Sequence, residues 1–220
     1  MALTDKVAFA LLADLKSDLG ISDASKDSTL ERRILAASEL IESWCGRRFR
    51  YQSVVENVKG EGWPSIAVSR LPVVAITSIV IDGSTIPSTA YSLVDAETGR
   101  IFRVDGWAWT AALIATASPE RVTGTEERAF VVTYAGGYVL PNDSNQAPYA
   151  SPVMLPNAIV EACLLWATEL HLAAGTRGDV VQEQVGDASI AYAVNSTEER
   201  RGGQPSPAVT RLLAPYRVFS

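Results

Sequence analysis

At 220 residues, 47% of them hydrophobic and 20% charged, the sequence suffices for one sizeable domain or two small ones. Its 19 basic and 25 acidic side chains give a formal charge of -6 and a pI near 4.9, which excludes a histone-like or polybasic role and any general attraction to nucleic acid or anionic lipid. Cys45 and Cys163, the only cysteines, lie far apart in helical patterns and so build neither a disulfide framework nor a zinc knuckle; no run is apolar enough to read as a membrane span, and the N-terminus lacks the basic start of a signal peptide.

The spacing of Val7, Leu11 and Leu15, widened by Ala8, Leu12 and Leu19, predicts a short amphipathic helix capped by Thr4 and stopped by Gly20. A second helix begins at a capping-box pattern of Ser28 and Glu31, runs through Leu30, Ile34, Ala37, Ile41 and Trp44, and closes at Gly46. Arg47 and Arg48 follow, where orphan carbonyls favour positive charge. The pair is expected to form a helical hairpin over 1–50.

From Tyr51 to Tyr138 the period becomes alternating, with Ile66 and Val68, then Val74, Ile76 and Val80, then Ile101 and Val104, and last Phe130, Val132 and Tyr134. Asp82-Gly83 and Glu97-Thr98-Gly99 supply hairpin turns, so 51–138 reads as an inserted antiparallel β lobe. At its end Gly136-Gly137 permits positive φ, with Tyr134 and Tyr138 packed at the rim rather than forming an aromatic binding surface. Residues 139–155, rich in Pro, Asn, Ser and Gln, read as a loop.

Pro156 opens a core helix over 156–175 whose Ile159, Val160, Cys163, Leu164, Trp166, Ala167 and Leu170 span too wide an arc for one buried face; burial on two sides or packing against another subunit follows. Residues 176–220 hold two β-like runs, Val180 to Val185 and Ser189 to Val194, joined at Gly186-Asp187. A linker and a short helix from Ser206 and Pro207 to Leu213 come next, with a stop at Pro215. The fold class is therefore α+β: a helical bundle formed by the N-terminal helix pair and the long helix of the C-terminal half, with an inserted antiparallel β lobe and an extended C-terminal arm.

Chemistry-bearing patterns are sparse. His171, the only histidine, lies beside Glu169 near a helix end, where the dipole favours it without any catalytic or metal-binding role. Glu126-Glu127 and Glu198-Glu199 are adjacent acids that point to different faces, unlike an acid/base dyad. There is no G-x-S-x-G, P-loop or G-x-G-x-x-G, and Arg177-Gly178-Asp179 reads as a loop. Neither a cofactor nor a metal is expected. Trp107, Trp109 and His171 are the only material for an alternative reading as a small enzyme or carbohydrate-binding module.

Charge distribution says more. Every charged side chain in 200–220 is an arginine, namely Arg200, Arg201, Arg211 and Arg217, which leaves residues 1–199 at -10. A basic arm on an acidic body suggests docking on an acidic neighbour.

Five segments in order carry a family resemblance: IESWCGRRF at Ile41 to Phe49, LPVVAITSIVIDG at Leu71 to Gly83, YSLVDAETGRIFR at Tyr91 to Arg103, VVTYAGGY at Val131 to Tyr138 and LPNAIVEACLLWATEL at Leu155 to Leu170. Together with GDASIAY and LLAPYR they resemble tailed-phage head-tail connector proteins, the adaptors of lambdoid-like long-tailed phages. The resemblance implies a structural virion protein, assembled in the host cytoplasm and placed at the head-tail interface, with no enzymatic activity. It implies a ring of copies, expected to be dodecameric, beneath the portal protein, a tail-side connector or tail terminator protein as the next partner, and double-stranded DNA passing through without sequence-specific binding and without a membrane. Trp166 and Leu170 are then expected at the oligomer interface, and Arg200, Arg201, Arg211, Tyr216 and Arg217 at the portal or the neighbouring subunit. A stopper or tail-completion protein is the alternative structural role.

Overall fold

The computed structural model describes residues 7–60, 62–81, 83–107, 130–143, 153–175, 182–185, 188–191 and 204–218. In chain order the elements are α1 (Leu12–Asp18), α2 (Asp27–Cys45), β1 (Gln52–Val58), β2 (Ser65–Ala67), β3 (Val73–Ile81), β4 (Ser84–Thr85), β5 (Ser92–Asp95), β6 (Arg100–Phe102) and β7 (Phe130–Gly136). There follow α3 (Asn157–Gly175), β8 (Gln182–Val185), β9 (Ala188–Ala191), α4 (Pro207–Leu213) and a 3-10 turn (Ala214–Tyr216). Helices and antiparallel sheets coexist in an α+β fold. The chain divides into two compact units, one of Met1–Gly46, Leu140–Asn145 and Leu155–Ser220, the other of Arg47–Val139 and Gln146–Met154.

In the first unit α3 packs against α2, α4 and α1. Leu30, Ile34, Ala37 and Ile41 of α2 meet a fully buried row of Ile159, Ala162, Cys163 and Ala167 on α3, while Val209 and Leu213 of α4 are buried as completely. The wide apolar arc of α3 is thus covered by neighbours within the chain. Burial pushes the Cys163 thiol up to about 12, held as a neutral group near the Ser38 hydroxyl and the Ile34 carbonyl.

Both helix starts differ from expectation. The first helix begins only at Leu12, and Thr4 lies outside the described residues. Ala8, Phe9 and Ala10 are fully buried but not helical, because the Phe9 N–H is taken at 3.1 Å by the Ser38 hydroxyl of α2 instead of a helical carbonyl. In α2, Asp27 is already helical, so Ser28 sits inside the first turn and makes no cap; Lys26 flanks the start without a side-chain cap, and its carbonyl accepts from Thr29 and Leu30. A Lys16–Asp27 ion pair of 2.6 Å joins the two helices. Gly46 ends α2 in the left-handed conformation, as expected.

In the second unit a four-stranded sheet of order β1-β7-β3-β4 and a three-stranded sheet of order β2-β6-β5 share one core. Val58, Val73, Ile79, Phe130, Val132 and Tyr134 come from the first sheet, Ile66 and Ile101 from the second. The phase expected for β3 is wrong at Val74 and Val80. Register shifts at Val73/Ala75 and Ile76/Ser78 each insert one residue, so the inward positions are Val73, Ile76 and Ile79. Val104, expected inside, is 85% exposed because β6 ends at Phe102.

Both turns expected from sequence join strands. Ile81 pairs with Ser84 across Gly83, whose φ is +75°; Asp82 is outside the described residues. Asp95 pairs with Arg100, and its carboxylate is held below its usual range by Thr98, first through its side chain and then through its N–H, and by the Glu97 N–H. Strands β8 and β9 pair in antiparallel register, Val185 with Ala188, around Gly186-Asp187, which is not described.

Candidate assembly surface

Two stretches carry the residues singled out in the sequence. On α3, Trp166 is 3% exposed and belongs to the core of its unit, whereas Leu170 is half-buried and Leu172, one helical face on, is 60% exposed. The helix therefore turns its apolar side outward only in its last turns.

The C-terminal stretch is anchored by a local design. Ser206 is buried and its hydroxyl accepts from the Val209 N–H at 3.4 Å, with Pro207 in the first helical turn, so α4 starts at a capped end. Val209 and Leu213 face inward; Pro207, Ala208 and Arg211 face solvent. Beyond α4 the chain returns to the end of α2: the Val218 N–H donates to the Cys45 carbonyl at 2.9 Å, and the Arg217 guanidinium lies 4.8 Å from the centre of the Trp44 ring. The structure thus gathers Tyr216 and Arg217 near the C-terminal end of α2 and leaves Arg211 on the outer face of α4; Arg200 and Arg201 lie outside the described residues.

A second constellation, in the β unit, escaped the sequence reading. Two chain segments, 47–50 and 70–72, meet beside Gly136 and Gly137. A Cβ on Gly136 would overlap the Arg70 and Pro72 carbonyls, and one on Gly137, at φ +102°, would sit 2.7 Å from the Phe49 and Arg50 carbonyl oxygens. Two arginines strap the crossing reciprocally: Arg47 Nη2 donates to the Leu71 carbonyl at 2.6 Å, and Arg70 Nη1 to the Arg50 carbonyl at 2.8 Å. The Arg47 guanidinium also lies over the Phe49 ring, 4.9 Å from its centre, and Phe49 stacks with Tyr138. Arg47 therefore serves this crossing and not the end of α2, where its position in sequence had placed it.

Close by, the buried Tyr134 hydroxyl donates to Glu56 Oε2 at 2.6 Å and accepts from the Arg70 N–H at 2.9 Å. Glu56 Oε2 also accepts from the Ser69 N–H and hydroxyl, each at 3.0 Å. Burial first, then the bond to Glu56, pushes the Tyr134 phenol up to about 12. The signal for this network was available: Glu56 falls between Val54 and Val58 on the inward face of β1, where an acid requires donors.

The material for catalysis or sugar binding is dispersed. Trp107 is fully buried, packs edge-on against Phe130 at 5.1 Å and donates through Nε1 to the Ile101 carbonyl at 3.2 Å, so it is a core residue and no binding platform. Trp109 is outside the described residues, and His171 is half-buried on α3. Among the described residues no group of three or more potential metal ligands occurs, and no helix is long and apolar enough to cross a membrane.

The family model described as Head completion protein matches residues 10–117. No curated protein matches the sequence. Among solved structures, a chain from the neck of an empty GTA particle computed with C6 symmetry is similar with a TM-score of 0.53 at 14% identity, over 96% of this chain and 91% of that one. A chain from the neck of a native GTA particle computed with C12 symmetry gives 0.52 at 14%, over 100% and 94%. A chain from the virion of a native gene transfer agent (GTA) particle gives 0.53 at 13%, over 96% and 91%. The resemblance to head-tail connector proteins is therefore met by a Head completion protein match across residues 10–117 and by a fold shared with neck components along nearly the whole chain.

Proposed function

We propose that the protein is a structural neck component of a phage-like virion, a head-tail adaptor that joins copies of itself into a ring beneath the portal, offers a platform to a tail-side connector or tail terminator, and lets DNA through its lumen. The observation that carries this reading is the fold: nearly the full length of the chain is similar to neck chains, one from a neck computed with C12 symmetry, while the Head completion protein match lies in the sequence itself. The α2–α3 helical core is the body of the ring subunit, with the outward end of α3, Leu170 backed by Trp166, at the subunit contact. The segment after α3 is the arm, and Arg200, Arg201, Arg211, Tyr216 and Arg217 carry its contact with the portal or the adjacent copy. An acidic wall suits a conduit, since it gives phosphate no counterion-releasing contact to hold. The protein makes and breaks no bonds. A stopper or tail-completion protein would share the fold but would bind the tail without first requiring the portal.

Electron microscopy of the full chain, alone and mixed with portal, tests the reading. Rings in either condition are the expected result, and a persistent monomer in both refutes it. The arm is tested by Arg211→Glu, which reverses a charge on an exposed face. Deleting residues 200–220 is a poor test, because it removes Val209 and Leu213 from the core at about 1.5–3 kcal/mol each. Portal binding that is unchanged in the Arg211 variant removes that residue from the contact.

A further inference from the structure

The reciprocal arginine strap is also chemically unfinished. Arg47 and Arg70 are half-buried, each with one nitrogen on a main-chain carbonyl, and neither reaches a carboxylate among the described residues. The Arg47 Nε is buried with no acceptor among the described residues. Two part-desolvated guanidiniums on a chain of formal charge -6 call for an anion that the described part of the chain does not supply.

The complementary feature lies on α1. Asp14 and Asp18 are exposed, four residues apart and hence on one helical face, where like charges repel; neither has an ion-pair partner among the described residues. Lys16, the basic residue between them, is committed to Asp27 of α2 and leaves that face purely acidic. A ring needs a heterologous contact, in which one patch on a copy meets a different patch on the next, and copies that are all acidic need local opposite charge to approach. We propose that Arg47 and Arg70 of one copy receive Asp14 and Asp18 of the next, a charge-matched contact between subunits. The inference rests on the ring reading above. Duplex DNA is the less suited anion, because its backbone is held by rows of exposed cations and these two guanidiniums are recessed and already half-engaged.

The test uses full-length chains in which R47E/R70E or D14K/D18K reverses one side. Assembly, alone and on portal, is followed by sedimentation and electron microscopy. Each variant alone should need roughly tenfold more protein for half-assembly. The lysine variant should show its defect at unchanged thermal stability: both positions are exposed, and the helix dipole is served worse by lysine in the first turn of α1 but better in the last, so the two changes offset. Mixing the two variants should restore rings, since each then offers its intact patch to the other and the reversed patches also match; a defect of folding is not rescued by mixing. If R47E/R70E does not fold, D14K/D18K against an E161K control, an exposed acid of α3, carries the decision. Wild-type rings with D14K/D18K assembling normally, or no rescue from two folded variants, overturn the contact while leaving the ring reading intact. Loss of duplex DNA binding with unchanged assembly in R47E/R70E overturns it in favour of a nucleic-acid ligand. A wild-type chain that never assembles refutes the ring reading, and this contact with it.

Discussion

Replacing Tyr134 by Phe separates two contributions of one hydroxyl. At neutral pH the substitution leaves the Arg70 N–H without its acceptor and takes from Glu56 its shortest donor, at 2.6 Å, while Ser69 keeps two bonds to the same oxygen. One buried donor left unpaired costs about 1–3 kcal/mol. At high pH the order changes. The Tyr134 phenol rises from 10.0 to about 12 in the folded protein. A folded value above the unfolded one means that the stabilisation is complete below pH 10 and is lost as pH climbs through the folded value, in all about 2 kcal/mol by pH 12. Phe cannot ionise, so the variant has no such decline, and the gap between the two proteins should close between pH 10 and 12. Cys163 adds an alkaline decline of its own from its ordinary 9.0, but it does so in both proteins and cancels in the difference. Urea unfolding at pH 7, 10 and near 12 reads the effect. Stability curves that fall in parallel over that range refute the raised Tyr134 phenol, and with it the burial and the Glu56 bond that raise it.

Gly137→Ala should destabilise the β unit by about 3 kcal/mol or more, since φ of +102° and two carbonyl oxygens at 2.7 Å oppose any side chain; a thermal midpoint within a degree of wild type contradicts the crossing. Trp107→Ala should cost about 3–5 kcal/mol in urea unfolding through lost burial, while leaving the capacity for assembly in the folded fraction; a folded variant of unchanged stability returns the indole to the surface.

Much of the fold was legible because its periodicities are clean. Leu30, Ile34, Ala37 and Ile41 sit where a 3.6-residue period puts them, and Phe130, Val132 and Tyr134 alternate without interruption. The errors have local causes. A period of two cannot register a bulge, so Val74 and Val80 were placed inside where Val73 and Ile79 belong. Thr4 and Ser28 have cap-forming side chains, yet the first helix starts late because Ser38, from another helix, claims the Phe9 N–H. Trp107 looked available because its neighbours in sequence have no period; the partner that buries it, Phe130, is distant in the chain. The arginine strap was hidden for the same reason: Arg47 and Arg70 each look local, and only the crossing beside Gly136 and Gly137 makes them a pair.

The burial of Val209 and Leu213, on the inner face of α4, has a consequence for biosynthesis. The apolar side of α3 is sealed in part by a helix encoded downstream of it, so a nascent chain emerging at about 5–20 residues per second carries that side open until residue 213 has cleared the ribosome. Strands β1 to β7, encoded before α3, are free to condense earlier. A subunit interrupted before its last helix would then expose apolar α3 to chaperones and proteases, which offers a built-in check that only finished copies reach assembly.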